Sequence, residues 1–208
     1  MNELLTKGYP INASLSLIAN HHRLNKRQRK SLSRACAGKE QLNEILGNEI
    51  KPNEAIGKTL LIDGFNLLIL IESALSKAYV FECADGSFRD LSGVHGSYKR
   101  VSKTGEALGL IGEAVSEMQL AKVIWVLDKP VSNSGRLKGI IDDLSTEKGY
   151  NWEVILDYNP DRYIAEANEI AVSADSWIIA RSKWLNLAKI LLEEEIKDAE
   201  IFRFIVSN

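Results

Sequence analysis

The clearest pattern of apolar positions lies at residues 59–71, where two periodicities follow one another. Thr59-Leu-Leu-Ile-Asp63 is a continuous apolar run that ends in a carboxylate, which is typical of a strand buried on both faces of a parallel sheet. From Asn66 onward apolar residues recur at helical spacing with little polar surface, which predicts a helix packed on that sheet. Because ligands bind at the carboxyl ends of strands in open α/β sheets, Asp63 is a candidate functional residue.

Further strand-like and helical segments alternate along the rest of the chain. The pattern predicts strands over 121–127, 152–156, 170–173 and 201–206, and helices over 104–118, up to about 148, over 161–168 and over 183–196. Asp85-Gly86 between two strand-like runs, 79–84 and 87–91, predicts a β-hairpin. Strands alternating with helices at this spacing imply an α/β domain whose sheet is parallel, with right-handed crossovers.

Charge divides the chain into a basic front and an acidic remainder. Residues 1–57 carry nine Lys/Arg and five acids, a net charge of +4, whereas the remainder carries 17 basic and 23 acidic residues. We predict a small, basic, all-helical N-terminal region (1–50), a linker near 47–58, and an α/β domain (58–208). Helices near 12–22 and 26–37 are compatible with a helix-turn-helix reader, but the pattern favours general attraction of phosphates, and a solvated basic face is the simpler alternative.

Bulk composition excludes several classes of protein. The 208 residues are 45% hydrophobic, enough for a core without disulfides, and Cys36 and Cys83 do not form a CxxC pair. Glu3 and Lys7 interrupt what would be a signal peptide, and no stretch is long enough to span a membrane. We therefore expect a cytoplasmic protein with no membrane partner and no structural zinc. The sequence leaves the oligomeric state open, with a homodimer as one option.

Aspartates end or closely follow the predicted strands at positions 63, 128, 157 and 175. Parallel strands present their carboxyl ends at one edge, so these acids can converge although they are distant in sequence. Clustered carboxylates repel one another unless a cation lies among them, and oxygen ligands favour Mg²⁺ or Mn²⁺. Such an ion can activate water and neutralise charge on a phosphoryl group. Taken singly, each aspartate is equally well explained as a cap of the following helix.

Other nucleotide-linked α/β sites are not supported. Neither a dinucleotide-binding glycine fingerprint nor a P-loop follows the first strand. A phosphotransferase with an Asp-x-Asp nucleophile would need an acid at position 65, which is Phe65.

Three motifs together resemble the PIN-like ribonucleases, especially the NYN branch. Leu-Ile-Asp63-Gly-Phe-Asn66-Leu resembles the opening motif of that family, Asn159-Pro-Asp161-Arg-Tyr resembles its acid at a helix start, and Val-Ser-Ala-Asp175-Ser resembles its final strand-end motif. The basic helical front resembles that of uncharacterised archaeal proteins in which such a segment precedes a PIN-like domain. The resemblance, over roughly 58–206, implies a three-layer α/β/α sandwich and metal-dependent cleavage of RNA.

The resemblance also implies roles for particular residues. Asp63, Asp161 and Asp175 match the metal-binding acids, and Asn66 matches the amide that orients the first aspartate or the phosphate. For the remaining acidic position Asp128 is our choice. Glu72 is the less favoured candidate. The sequence departs from the family pattern at Pro160, where a double acid is usual, and in the insertion over 79–100.

The resulting hypothesis is a cytoplasmic endoribonuclease that binds RNA and uses Mg²⁺ or Mn²⁺. Its predicted phosphate-binding residues are Arg89, Lys99, Arg100 and Lys103, with Lys26, Arg27 and Lys30 from the basic front. One alternative is a non-catalytic RNA-binding or RNA-processing adaptor on a degenerate PIN-like fold. Another is a DNA-binding regulator that uses the N-terminal helices.

Overall fold

A computed structural model describes residues 1–91 and 102–204. The helices are α1 Asn2–Thr6, α2 Ile11–His21, α3 Lys26–Ala35, α4 Lys39–Asn48, α5 Gly64–Leu75, α6 Thr104–Ser116, α7 Ser134–Lys148, α8 Pro160–Ala165, α9 Ser176–Ile179 and α10 Leu187–Ile190, the last followed by a π-helical turn, Leu191–Glu195. The strands are β1 Glu49–Ile50, β2 Thr59–Asp63, β3 Val80–Glu82, β4 Phe88–Asp90, β5 Lys122–Asp128, β6 Trp152–Asp157, β7 Ile170–Val172, β8 Trp184–Leu185 and β9 Ile201–Arg203.

The main sheet has six parallel strands in the order β1-β8-β7-β2-β5-β6. The apolar run at Thr59–Asp63 forms β2 in the interior of this sheet. Both faces of the strand are covered by helices, which explains why its sequence is apolar without alternation and confirms the prediction of a buried strand. Helices α5, α6, α7 and α10 pack on one face. Helices α4, α8 and α9 pack on the other. The fold is therefore a three-layer α/β/α sandwich with a helical N-terminal region, which confirms the predicted fold class.

A small second sheet, β4-β3-β9, lies apart from the main one in strand order. Its antiparallel pair β3–β4 confirms the predicted hairpin, and Gly86 in the turn has a φ of +78°, a conformation that favours glycine. The predicted last strand, 201–206, is described to residue 204. It forms β9 and pairs in parallel with β3, so it extends the small sheet and not the main one.

Two predicted boundaries differ from the structure. The helix predicted over 183–196 begins instead with strand β8, because Trp184 and Leu185 insert beside β7 before α10 starts. The segment 47–58, predicted as a linker, contains β1 and a 3₁₀ turn at Pro52–Ala55. Helix α4 was not predicted, since its few apolar side chains are spaced among charged residues.

The N-terminal region shares its core with the α/β layers. Ile45 of α4 is fully buried in the second apolar cluster, and its carbonyl accepts a hydrogen bond from Trp184 Nε1 at 2.9 Å. Strand β1 then pairs in parallel with β8 at the edge of the sheet. Within residues 1–91 and 102–204, every helix is too short or too polar to cross a lipid bilayer.

Candidate active site

Strands β2 and β7 are neighbours in the main sheet, but the helices that follow them lie on opposite faces. Helix α5, which follows β2, packs on one face of the sheet. Helix α9, which follows the adjacent strand β7, packs on the opposite face. The divergence leaves a crevice between the carboxyl ends of β2 and β7, the usual ligand-binding position in open α/β sheets. We call this place the β2/β7 crevice.

Asp63 is the last residue of β2 and lies in this crevice with only 9% of its surface exposed. Helix α5 begins immediately after it, at Gly64. A Cβ atom at Gly64 would lie 2.5 Å from the side chain of Leu127 and 3.2 Å from the carbonyl oxygen of Val126. The missing side chain therefore allows the start of α5 to lie against β5, which fixes where the Asp63 carboxylate emerges.

Hydrogen bonds cross the crevice from the loop that follows β7. Ser173 Oγ donates to Asp63 Oδ2 at 2.8 Å, and the backbone N–H of Ala174 donates to Asn66 Oδ1 at 3.0 Å. The backbone N–H of Asp175 donates to Ser173 Oγ, also at 3.0 Å. Asn66 thus fixes the loop that carries Asp175 through its side chain, while its backbone lowers the pKa of the Asp63 carboxyl group.

The other two acids predicted by resemblance lie at the starts of short helices. Asp161 is in the first turn of α8, which packs against β2, β5 and β6. Asp175 lies three residues beyond the end of β7 and is the N-cap of α9, where its Oδ1 accepts a hydrogen bond from the backbone N–H of Trp177 at 2.7 Å. The capping role considered for Asp175 is therefore real, and it leaves the carboxylate close enough to affect Asp63.

Electrostatic interactions connect four of the five aspartates named from the sequence: Asp63, Asp128, Asp161 and Asp175. The pKa of Asp63 is raised to about 7, first by burial and further by the charges of Asp161 and Asp175, while the hydrogen bond from Ser173 and the Asn66 backbone lower it. Asp161 is exposed at the surface, but partial loss of solvent around its carboxyl group raises its pKa, and the charges of Asp175 and Asp128 raise it further. Partial burial also raises the pKa of Asp128. The structure thus brings these carboxylates into mutual electrostatic range.

The donor set suits a hard divalent cation, although the described side chains do not form a closed cage. In residues 1–91 and 102–204, no group of three or more His, Cys, Asp or Glu side chains is placed to hold a metal ion. Mg²⁺ usually keeps several waters and is held by one or two carboxylates together with substrate phosphates, so it does not require such a cage. All-oxygen ligands and mutual repulsion among Asp63, Asp161 and Asp175 fit that mode of binding.

Two further acids have local partners. Asp157 lies opposite Asp128 in the β5–β6 register, and its Oδ1 accepts a hydrogen bond from the backbone N–H of Asn159 at 2.7 Å. Glu72 is buried in α5 and accepts a hydrogen bond from the Thr104 hydroxyl of α6. Glu72 therefore joins two helices on one face of the sheet.

The prediction that Arg89 binds RNA phosphates does not agree with its position. Arg89 is only 7% exposed, and its guanidinium forms an ion pair with buried Asp85. A long polar side chain in a sequence is ordinarily expected at the surface, but here distant backbone carbonyls receive its hydrogen bonds. Arg89 is therefore an internal residue and not part of an exposed basic surface.

The remaining predicted phosphate-binding residues fall into three groups. Lys26 and Arg27 are exposed on α3. Lys30 is half-buried and donates to the carbonyl of Leu91 at 2.6 Å, and Lys103 pairs with Glu106 at 2.7 Å. Lys99 and Arg100 lie outside the described residues.

Ser173 is a site residue that the sequence reasoning did not select. The signal was present, because a hydroxyl residue two positions before an aspartate at a strand end is well placed to orient neighbouring carboxylates. Its partner, Asp63, is 110 residues away, so only the pairing of β7 with β2 reveals the contact.

Two known protein families match different parts of the chain. Residues 52–190, which carry β2, the crevice and the three resemblance motifs, match the family described as "Domain of unknown function (DUF5616)". The chain belongs to this family. Residues 1–47 match a second family, described as "Protein of unknown function (DUF434)".

One relative resembles the chain over almost its whole length. It is the "Uncharacterized protein MJ0935" of Methanocaldococcus jannaschii, 29% identical over 194 residues, which is 93% of this chain and 92% of the relative. No solved structure matches the chain. The resemblance of this DUF5616 member to PIN-like ribonucleases stays a prediction made from its motifs.

Proposed function

We propose that this DUF5616 member is a metal-dependent endoribonuclease whose active site is the β2/β7 crevice. The observation that carries the proposal is Asp63, a buried carboxylate at the central strand end whose pKa is raised to about 7 by burial and by two neighbouring aspartates. Keeping such a group ionised needs a compensating positive charge, and strongly perturbed acids in a crevice are typical of functional sites.

The chain's own residues divide the work in this proposal. Asp63, Asp161 and Asp175, with Asp128 at their side, would hold Mg²⁺ or Mn²⁺, which supplies activation of water and neutralisation of phosphoryl charge. Ser173 orients the Asp63 carboxylate through its 2.8 Å hydrogen bond. Asn66 fixes the backbone of Ala174, the residue before Asp175. Lys26 and Arg27, both exposed, are available for the RNA backbone.

Location in a reducing cytoplasm belongs to the same proposal. Cys36 and Cys83 are both free thiols, as expected of a protein from a reducing compartment. RNA is the proposed binding partner.

Replacement of Asp63 by Asn tests the proposal. Asp63→Asn keeps the size of the side chain but removes its charge, so Mn²⁺-dependent cleavage should fall by more than about 100-fold, the upper end for loss of an outer-shell partner. Asp157→Asn is the matched control, since it makes the same change at the end of β6, two strands away from β2 in the same sheet. Cleavage of unstructured and hairpin RNAs is measured with Mn²⁺ and with EDTA, and melting curves confirm folding. Undiminished cleavage by Asp63→Asn would refute the assignment.

A non-catalytic RNA-binding adaptor is the second candidate. It is favoured by the absence, within the part of the chain that the structure describes, of any three-residue group placed to hold a metal. The two candidates differ in one measurement. A binding-only protein should retain RNA in a filter-binding assay, show no cleavage with any divalent ion, and show the same affinity for RNA after Asp63→Asn.

A further inference from the structure

Arg89 of β4 forms hydrogen bonds with the two residues that flank Asp175 in the loop after β7. Its Nε donates to the carbonyl oxygen of Ala174 at 2.7 Å, and one terminal nitrogen, Nη2, donates to Ser176 Oγ at 3.0 Å. Ala174 and Ser176 are the immediate neighbours of Asp175. One guanidinium group therefore holds the backbone before this candidate ligand and the side chain after it.

The same guanidinium also contacts two other parts of the chain. Nη2 pairs with the Asp85 carboxylate, and Nη1 donates to the carbonyl of Arg34 near the end of α3. Asp85 is fixed in turn by Ser87, whose backbone N–H and hydroxyl both donate to Asp85 Oδ1. Arg89 thus joins the β3–β4 hairpin, the basic helix α3 and the crevice loop.

An ion pair this deeply buried is difficult to explain by stability alone. Removing two charges from water is costly, and well-packed apolar residues are often as stabilising as a buried pair. A planar guanidinium does, however, offer five N–H donors in fixed directions, whereas a lysine ammonium is a single point of charge. The arrangement here uses those directions to reach a carbonyl and a hydroxyl beside Asp175.

We propose that Arg89 is a positioning residue for the candidate active site: it sets the position of Asp175 and couples it to the docking of α3. An effect of Arg89 on catalysis rests on the proposed ribonuclease function. Arg89 itself does not contact the RNA; it acts through the loop 174–176. The N-terminal region therefore contributes to the acid cluster through a structural link, besides any basic surface it offers.

The first test is the Mn²⁺ dependence of RNA cleavage by Arg89→Met and Arg89→Lys. We expect kcat to fall by about 10- to 100-fold, the usual effect of removing a partner that orients a metal ligand. The Mn²⁺ concentration for half-maximal rate should rise, while KM for RNA stays unchanged. Arg89→Lys should remain impaired because it keeps the charge but loses the fork of donors.

Arg203→Met is the matched control, since Arg203 lies in the same small sheet and pairs with Glu82 at the surface. It should leave kcat and the Mn²⁺ dependence unchanged. A role of Arg89 in general stability alone predicts a lower melting temperature with an unchanged Mn²⁺ requirement. That result, or full recovery by Arg89→Lys, overturns the inference.

A second measurement does not depend on catalysis. Amide hydrogen exchange at residues 173–177 should accelerate in Arg89→Lys and in the milder Ser176→Ala, which removes one acceptor, but not in Arg203→Met. If Arg89→Met fails to fold, Arg89→Lys and Ser176→Ala are used for the test. If the wild-type protein shows no Mn²⁺-dependent cleavage, the proposed function is refuted, and the positioning role of Arg89 is then tested by hydrogen exchange. Unchanged exchange at 173–177 in Arg89→Lys and Ser176→Ala refutes the positioning role.

Discussion

Two places at the carboxyl edge of the main sheet carry aspartates, and they differ in burial. In the β2/β7 crevice, Asp63 is 9% exposed and receives a hydrogen bond from Ser173 on the neighbouring strand's loop. At the β5/β6 edge, Asp128 and Asp157 lie opposite each other in register but remain half-buried. Asp157 satisfies its carboxylate locally, through the backbone of Asn159.

The difference shows that an acid at a strand end is not in itself a sign of function. At the β5/β6 edge the following helices, α7 and α8, also pack on opposite faces of the sheet, but the carboxylates of Asp128 and Asp157 stay half-buried. In the crevice, the loop after β7 donates hydrogen bonds across to Asp63 and Asn66, and burial of the Asp63 carboxylate raises its pKa. Burial of the strand end, more than the sequence position of the acid, determines how strongly the pKa of an aspartate is raised.

The largest expected effect that separates the two places is the dependence of stability on pH. The pKa of Asp63 rises from its ordinary 3.8 to about 7 in the fold, so its contribution to stability is complete below pH 3.8 and is lost as pH rises through 7. The loss is on the order of 4 kcal/mol. Asp63→Asn should therefore be more stable than wild type at pH 8, measured by urea unfolding from pH 4 to 8 without divalent ions.

Asp128→Asn is the comparison variant for this measurement. Burial also raises the pKa of Asp128, so the sign of its effect is the same, but the half-buried carboxylate should give a smaller change. Equal pH profiles for wild type and Asp63→Asn would contradict the distinction between crevice and edge.

The next effect is stabilisation by a divalent ion. At pH 8, Mn²⁺ at 100 times its dissociation constant should stabilise the wild-type protein by about 2.7 kcal/mol. The ion relieves repulsion around Asp63, so Asp63→Asn should lose most of this gain, whereas Asp157→Asn should keep it. Melting temperature as a function of Mn²⁺ concentration measures the effect. An identical increase in all three proteins would place the ion elsewhere.

The smallest expected effect concerns the backbone beside the crevice. Gly64→Ala places a Cβ 3.2 Å from the carbonyl oxygen of Val126 and closer still to the side chain of Leu127, so we expect a loss of about 1–3 kcal/mol. Gly139→Ala on the exposed surface of α7 meets nothing within 4 Å and should stabilise by up to about 1 kcal/mol. Urea unfolding of both variants compares them, and equal stabilities would show that α5 can shift away from β5 without cost.

Continuous apolar runs made the central part of the fold predictable. Thr59–Asp63 and Lys122–Asp128 are buried on both faces, so their patterns identify them without tertiary information. Strand β8 has only two residues, Trp184 and Leu185, too few to show any period within a segment that otherwise has helical spacing. Helix α4 was missed because its single fully buried side chain, Ile45, gives little apolar periodicity.

The candidate site was predictable only in part. Asp63, Asp161 and Asp175 could be selected because local motifs contain them, and the structure brings their charges into mutual influence. The burial of Arg89 could not be predicted from the sequence, because the carbonyl groups that accept its hydrogen bonds, at Arg34 and Ala174, are 55 and 85 residues away. A sequence shows the charge of an arginine but not which distant carbonyls will receive its donors.

The short strand β1 has a consequence for attempts to divide the chain. Its two residues, Glu49 and Ile50, cover the backbone of β8 at one margin of the main sheet. A fragment that starts after residue 50 would leave that margin with unsatisfied N–H and C=O groups, which recruit strands from other molecules. The isolated α/β fragment should consequently self-associate. In the whole chain, β1 covers the edge of β8 and so protects the sheet from this aggregation.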